Sequence, residues 1–317
     1  MRVLLFGLLT ASLAACSTDA RRADRSELSL QTATPGSEAA ASVGAGPGAT
    51  SLVTGRSEHS SSSSGVVRRW LLYVPRAASA GAPLPLVFTL HGSGGTPEDQ
   101  LQLSGLEALA ESEGFLLVAP EGVERMWNVP IDAAKPDDVR FLSELIDQVS
   151  VLSSVDRQRV YASGFSGGGR MVSQLACDLS ERIAAIAAIG GIRFPGPCTD
   201  ARPLPILAFH GTADDTNPYD GGGRPYWGTG VEPAVAGWAE HNRCPTRSER
   251  PLAPTTLAIS YGGAGCGAEV VLVRLDGFGH SWPDRIGAAL EGGSEDTTAD
   301  QALWSFFQRH PLPAAKP

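Results

Sequence analysis

The chain has 317 residues, of which 42% are hydrophobic and 19% charged, with a formal net charge of −9. That length is enough for one large folded domain. The acidic balance argues against nucleic acid as a partner, because a phosphate-binding surface needs a basic patch.

The first residues read as an export signal. Arg2 opens a short positive region, Val3 to Leu9 form an apolar core, and Leu13-Ala14-Ala15-Cys16 follows as a cleavage site. The apolar run is too short to span a bilayer. The ending resembles a bacterial lipobox, in which Cys16 is lipidated and becomes the mature N-terminus; an ordinary signal peptide cut at a small residue is the rival reading. Acyl chains on Cys16 would tie the protein to the membrane of the cell envelope without a transmembrane helix. Residues 17–65 are dominated by Ala, Ser, Thr, Gly and Pro, with an unbroken run from Ser60 to Ser64. Such composition cannot bury enough apolar surface to fold. As a flexible coil it would reach roughly 35–45 Å. The expected organisation is therefore a signal peptide over 1–15, a lipidated cysteine and disordered tether over 16–65, and a folded domain over 66–317.

Val66 to Val74 opens the folded part as a strand. Pro85 to His91 is a second, apolar strand that runs into the glycine-rich loop Gly92-Ser93-Gly94-Gly95. Leu101 to Glu113 has a helical pattern, and Phe115 to Ala119 reads as a strand, with Trp127 and Asn128 beyond it. Asp137-Asp138 cap a helix in which Phe141, Leu142, Leu145, Ile146 and Val149 recur at helical spacing. Val160 to Phe165 is a strand that turns at Ser166 into the helix beginning Gly167-Gly168-Gly169-Arg170-Met171. Ile183 to Ile189 is a buried run. Leu204 to His210 is an apolar strand followed by Gly211-Thr212-Ala213-Asp214. A helix over Pro233 to Asn242, a strand over Glu269 to Leu275, the loop Gly277-Phe278-Gly279-His280-Ser281-Trp282 and a helix over Asp300 to His310 complete the chain. Strands alternating with helices predict an α/β fold, a mostly parallel sheet covered on both faces.

Three polar residues stand in loops just past strand ends, where open α/β sheets build their sites. Ser166 sits between Gly164 and Gly168 in a G-x-S-x-G turn from strand to helix, the nucleophile elbow of α/β-hydrolases. A serine hydroxyl needs a base, and the base needs a partner that holds its tautomer. The chain order serine, acid, histidine selects Asp214 and His280. Of six histidines, His91 and His210 end strands and read as locally hydrogen-bonded groups, while His280 alone is both late and glycine-flanked. Asp215 is the close rival to Asp214. The backbone N–H groups of Ser93 and Gly167 are the candidate oxyanion donors, with Gly94 as the alternative. Trp127, Asn128, Tyr219 and Trp282, together with Tyr226 and Trp227, are candidate walls of a substrate pocket; packing of the loops is the competing role for each. This chemistry calls for no metal and no cofactor.

Besides Cys16, four cysteines remain: Cys177, Cys198, Cys244 and Cys266. In an exported chain they favour disulfides, and four cysteines allow three pairings. The sequential pairing, Cys177–Cys198 and Cys244–Cys266, is the simplest. Each loop so closed is worth about 3 kcal/mol in the chain-entropy description.

Together these stretches resemble the secreted bacterial poly(3-hydroxybutyrate) depolymerases and feruloyl esterases of carbohydrate esterase family one. The resemblance rests on Leu90-His91-Gly92, Asp138 to Leu142, Asp156 to Tyr161, Gly164 to Gly168, His210 to Asp214 with Pro218-Tyr219, and Gly279 to Pro283, and it covers nearly all of the chain after residue 66. It implies an α/β-hydrolase fold, a triad of Ser166, Asp214 and His280, sequential disulfides, and two-step acyl transfer on short hydroxyacyl or hydroxycinnamoyl esters. The sequence departs from the family's pattern in Gly167, where Asn is frequent, in Arg170, where Met is, and in Asn217, where an apolar residue is. No polymer-binding module is visible, which favours soluble esters over an insoluble polyester. A serine peptidase, an acyltransferase and a non-catalytic surface lipoprotein are the alternatives.

Overall fold

The computed structural model describes residues 53–290, 292 and 297–313. In chain order the elements are β1 (Gly55–Ser63), β2 (Val66–Val74), β3 (Leu84–Leu90), α1 (Pro97–Ser104), α2 (Leu106–Glu113), β4 (Leu116–Pro120), α3 (Asp138–Leu152), β5 (Val155–Phe165), α4 (Gly167–Asp178), β6 (Ala185–Ile189) and β7 (Ile206–Gly211). They continue with α5 (Val231–His241), β8 (Thr246–Ala253), β9 (Thr256–Gly262), β10 (Val270–Leu275), β11 (Arg285–Gly287), β12 (Thr297–Thr298) and α6 (Ala299–Gln308).

A ten-stranded sheet runs in the order β1-β2-β4-β3-β5-β6-β7-β10-β9-β8. Its centre, from β4 through β10, is parallel, and antiparallel pairs flank it on both sides. The parallel strands read as near-continuous apolar runs because both of their faces are covered. On one face, α3, α4 and α5 contribute Phe141, Leu145, Met171, Val235 and Trp238 to one apolar cluster. On the other, α1, α2 and α6 contribute Leu101, Leu106, Leu303, Phe306 and Phe307 to a second. This is the mostly parallel, doubly covered sheet that the strand–helix alternation predicts, and it agrees with the α/β-hydrolase fold that the family resemblance implies.

Three expectations need correction. The ordered chain starts before Val66: β1 occupies Gly55–Ser63, within the stretch expected to be a tether, and pairs antiparallel with β2 along its whole length. A strand gains its ladder hydrogen bonds from the backbone whatever its side chains are. Alternate residues of β1 turn toward the sheet, and the His59 ring stacks on Trp70 at 4.4 Å. The helical pattern from Leu101 to Glu113 is two helices, divided at Gly105, whose φ of +64° ends α1 in the left-handed region. The hairpin of β8 and β9 was not foreseen. Its outer strand is exposed, charged and carries Pro251, as suits a sheet edge rather than a core strand.

The structure joins Cys177 to Cys198 and Cys244 to Cys266. The first ties α4 to the segment after β6, and the second closes the base of the β8–β9 hairpin. Two disulfides fit an oxidising compartment. Cys16 and the stretches expected to be a signal peptide and, up to residue 52, a tether lie outside the described residues.

Candidate active site

Ser166 stands between β5 and α4 with φ +52° and ψ −111°, a backbone position that ordinary residues rarely hold. Its neighbours must be small for a measurable reason. A Cβ on Gly164 would lie 2.4 Å from the Gly168 carbonyl carbon, and one on Gly168 would lie 2.1 Å from the Leu90 carbonyl oxygen. The two glycines let β5, α4 and β3 close on one another, and the Ser166 N–H donates to the Ile189 carbonyl at 2.8 Å. The turn is thereby pinned to the neighbouring strand β6.

Ser166 Oγ lies 2.9 Å from His280 Nε2, and His280 Nδ1 lies 2.6 Å from Asp214 Oδ2. A carboxylate only accepts, so Nδ1 carries the proton and Nε2 is left to accept from the serine hydroxyl. The loop after β7 holds Asp214 from several sides. The N–H groups of Thr216 and Asn217 donate to Oδ1 at 2.9 and 2.7 Å. His210 Nε2 stands 3.3 Å from Oδ2 while donating to the Asn217 carbonyl at 2.9 Å. Burial by itself pushes the Asp214 carboxyl up. The histidines His210 and His280 and the Asn217 N–H outweigh that and hold it well below the usual carboxylate range. Asp215 instead accepts from the Thr216 hydroxyl and is exposed. An imidazole held between a serine hydroxyl and a carboxylate can take a proton from the first while the second stabilises the resulting cation.

The loop after β3 faces the start of α4. A Cβ on Gly167 would lie 3.0 Å from the Ser93 backbone nitrogen, so the backbone of the Ser93 loop passes close to the start of α4, next to Ser166. As the first residue of α4, Gly167 has an N–H without an intrahelical partner. Gly94 is a different matter, since its N–H donates to the Arg125 carbonyl at 2.8 Å. His91 braces the same loop. Its Nδ1 donates to the Gly92 carbonyl, and its Nε2 accepts from the Gly122 N–H at 2.9 Å. Burial lowers the His91 pKa and keeps the ring neutral for that double role.

A cavity of about 730 Å³ opens beside this loop. Ser93, Trp127, Asn128, Arg170 and Tyr226 line it. Trp127 and Asn128 are also structural: the indole N–H donates to the His91 carbonyl, and the Asn128 amide ties the loop from 128 to 136 to itself. Two candidate pocket residues lie elsewhere. Tyr219 packs edge-on against His210 and donates to Glu232. Trp282 is buried in the second apolar cluster, beside a separate cavity of about 370 Å³. Proximity in sequence to His280 and Asp214 suggested both residues, but a side chain next to a loop residue can point into the core. Trp227 is buried too, and its indole N–H caps the Pro218 carbonyl.

The sequence reading missed some roles. Asn217 carries its Nδ2 to the Gly190 carbonyl at 2.7 Å, which ties the acid loop to the end of β6. Phe165 packs against the His280 ring at 4.9 Å. Asp138 is not a second cap beside Asp137. It turns inward to a buried ion pair with Arg68 at 2.7 Å and accepts the Asn128 N–H at 2.7 Å, joining β2, α3 and the cavity wall. Adjacent polar residues at a helix start gave no signal of which one faces inward.

No family profile matches the chain. It is 33% identical over 241 residues to NocK of Nocardia uniformis subsp. tsuyamanensis, named as an esterase, covering 65% of this chain and 69% of that protein. It is 30% identical over 247 residues to feruloyl esterase C of Emericella nidulans, covering 76% of this chain and 83% of the relative. Two other relatives are much longer proteins, of which the chain spans 29% and 43%. Among solved structures, the acetyl xylan esterase from Aspergillus awamori superposes with a TM-score of 0.53 at 14% identity, covering 71% of this chain and 94% of that one. That likeness speaks for the fold, and the sequence relatives speak for the family. The chain belongs to the esterase family that holds the feruloyl esterases.

Proposed function

We propose that the protein hydrolyses carboxylic esters by a serine triad, with Ser166 as nucleophile, His280 as general base and then acid, and Asp214 as the carboxylate that orients it. The observation that carries this reading is the continuous hydrogen-bonded path from Ser166 Oγ through His280 to Asp214, at 2.9 and 2.6 Å. Ser166 Oγ attacks the ester carbonyl carbon while His280 Nε2 takes its proton. The negative oxygen that forms is held by the N–H groups of Ser93 and Gly167. His280 then returns the proton to the departing alcohol, leaving an acyl-serine. Water, deprotonated by the same imidazole, releases the acid and restores Ser166. Asp214 stays ionised throughout, because its hydrogen bonds hold its pKa low.

The substrates we assign are hydroxycinnamoyl esters of the feruloyl type and short hydroxyacyl esters of the 3-hydroxybutyrate type. The name of the Emericella relative supports the first, and so do Trp127 and Tyr226 among the residues that line the cavity. We place the enzyme outside the cytoplasm, held at the cell envelope through a lipidated Cys16 or secreted; the Leu13-Ala14-Ala15-Cys16 sequence and the two disulfides support export.

Initial rates on 4-nitrophenyl butyrate, methyl ferulate and a soluble 3-hydroxybutyrate oligomer test the reading, each with wild type and Ser166→Ala. Turnover should fall by about 10⁴-fold or more in the variant. Activity that survives the substitution would sink the triad. Preference for methyl ferulate over the oligomer would select the feruloyl branch.

A further inference from the structure

Arg170 is buried on α4, one helical turn after the candidate nucleophile, and is 6% exposed. Its Nη2 donates to Ser93 Oγ at 3.1 Å, and its guanidinium lies over the Tyr226 ring at 4.1 Å from the centroid. A Cβ on Gly167 would lie 3.4 Å from the same Nη2, so the cation stands against both candidate oxyanion donors. Among the described residues no Asp or Glu pairs with it, its Nε is buried with no partner, and Nη1 has no hydrogen bond. Arg193 lines an adjoining cavity of about 240 Å³ together with Tyr226. Among the described residues its guanidinium also meets no carboxylate, and its Nη1 is buried and unpartnered. Burial pushes both guanidinium groups down from the ordinary arginine value.

A buried cation without a counter-ion is costly, and such a group at the wall of a cavity marks a candidate ligand site. The other buried arginine here, Arg68, has its aspartate. Arg170 borders the cavity that adjoins the oxyanion loop. Glu124 and Asp132 line that cavity as well, with Lys135 and the already paired Asp138. Arg170 and Lys135 are balanced by Glu124 and Asp132 on the same cavity, so the wall carries no excess positive charge to hold the double charge of a phosphate monoester. A planar guanidinium presents parallel donors that fit a carboxylate.

We infer that Arg170 is a specificity residue that binds a carboxylate carried by the ester substrate, so that the preferred substrates are esters with one free carboxylate near the scissile bond. This inference rests on the esterase reading of the Ser166 site. Arg193 supports it by adding positive potential in the adjoining cavity. The competing role is electrostatic help to the oxyanion alone, which would affect charged and neutral esters alike.

Two matched substrate pairs separate these roles. In the first, 4-nitrophenyl pentanoate is set against mono(4-nitrophenyl) glutarate, in which a carboxylate replaces the terminal methyl of the acyl half. In the second, phenyl butyrate is set against 4-carboxyphenyl butyrate, with the charge on the alcohol half. Spontaneous hydrolysis is subtracted. For at least one pair, the ratio of kcat/KM, charged over neutral, should fall about 10–100-fold in Arg170→Met, mainly through KM. Arg170→Lys should restore part of it, and added salt should reduce the ratio in wild type. Both variants lose a bond to Ser93, so a common loss of rate is expected, and the ratio is unaffected by it. Unchanged ratios for both pairs would overturn the inference. Turnover of the neutral esters by wild type, abolished in Ser166→Ala, reports separately on the esterase reading. If Arg170→Met does not fold, inhibition of wild type on 4-nitrophenyl pentanoate decides: glutarate should inhibit at about tenfold lower concentration than glutaramide, and equal inhibition would overturn the inference.

Discussion

Asp214 shows how a single residue is tuned by what surrounds it. It is 4% exposed, and a buried carboxyl left alone would be neutral. Two histidines and two backbone N–H groups reverse that and keep it charged. Because its folded pKa lies below the unfolded value of about 4, its contribution to stability is complete above that value. It is lost as the pH falls toward the depressed folded pKa. Denaturation midpoints of wild type and Asp214→Asn should therefore differ most at pH 6–7 and converge as the pH drops below about 4. A difference that stays constant down to pH 3 would show that the carboxylate is not so tuned. In the sequence, Asp214 and His280 could be assigned from chain order, but the supports could not. Asn217 and His210 act through geometry that has no local pattern.

At the level of elements, the central strands and the helices that cover them were legible, because apolar periodicity is a local property of the chain. The edges were not. β1 is written in Arg, Ser, Glu and His, and it is a strand only because β2 offers it a partner. The β8 strand is charged for the same reason that makes it hard to recognise: it lies at the outer edge of the sheet. The position of β1 has a practical consequence. A chain that begins at Val66 would expose the edge of β2, including the Trp70 face that His59 covers. Compared with a chain beginning at Val53, it should unfold at a lower temperature and form larger species on size-exclusion chromatography. Equal melting temperatures and elution would mean that β1 contributes nothing to the fold.

Across the whole molecule, the sheet brings residues from distant parts of the chain to the carboxyl ends of β3, β5, β7 and β10. Ser93, Ser166 with Gly167, Asp214 and His280 are each delivered by one of these strand ends. The two disulfides close loops of 21 and 22 residues in sequence separation. Reducing both should lower the unfolding free energy by about 3–6 kcal/mol, read as a lower denaturant midpoint. No change on verified reduction would show that the loops are already constrained by packing.

By itself, the sequence determined the alternation of strands and helices, the elbow at Ser166, and the order in which acid and histidine follow it, since these depend on local chemistry and on position along the chain. Only the tertiary structure decided which side chains face the cavity. It turned Trp282 into the core, packed the half-buried Tyr219 against His210, set Arg170 and Tyr226 beside the Ser93 loop, and gave that arginine no carboxylate among the described residues. The reason is physical. Chain order says which residues reach a strand end, while the direction a side chain takes there, and the partner it meets, depend on elements that arrive from elsewhere in the sequence.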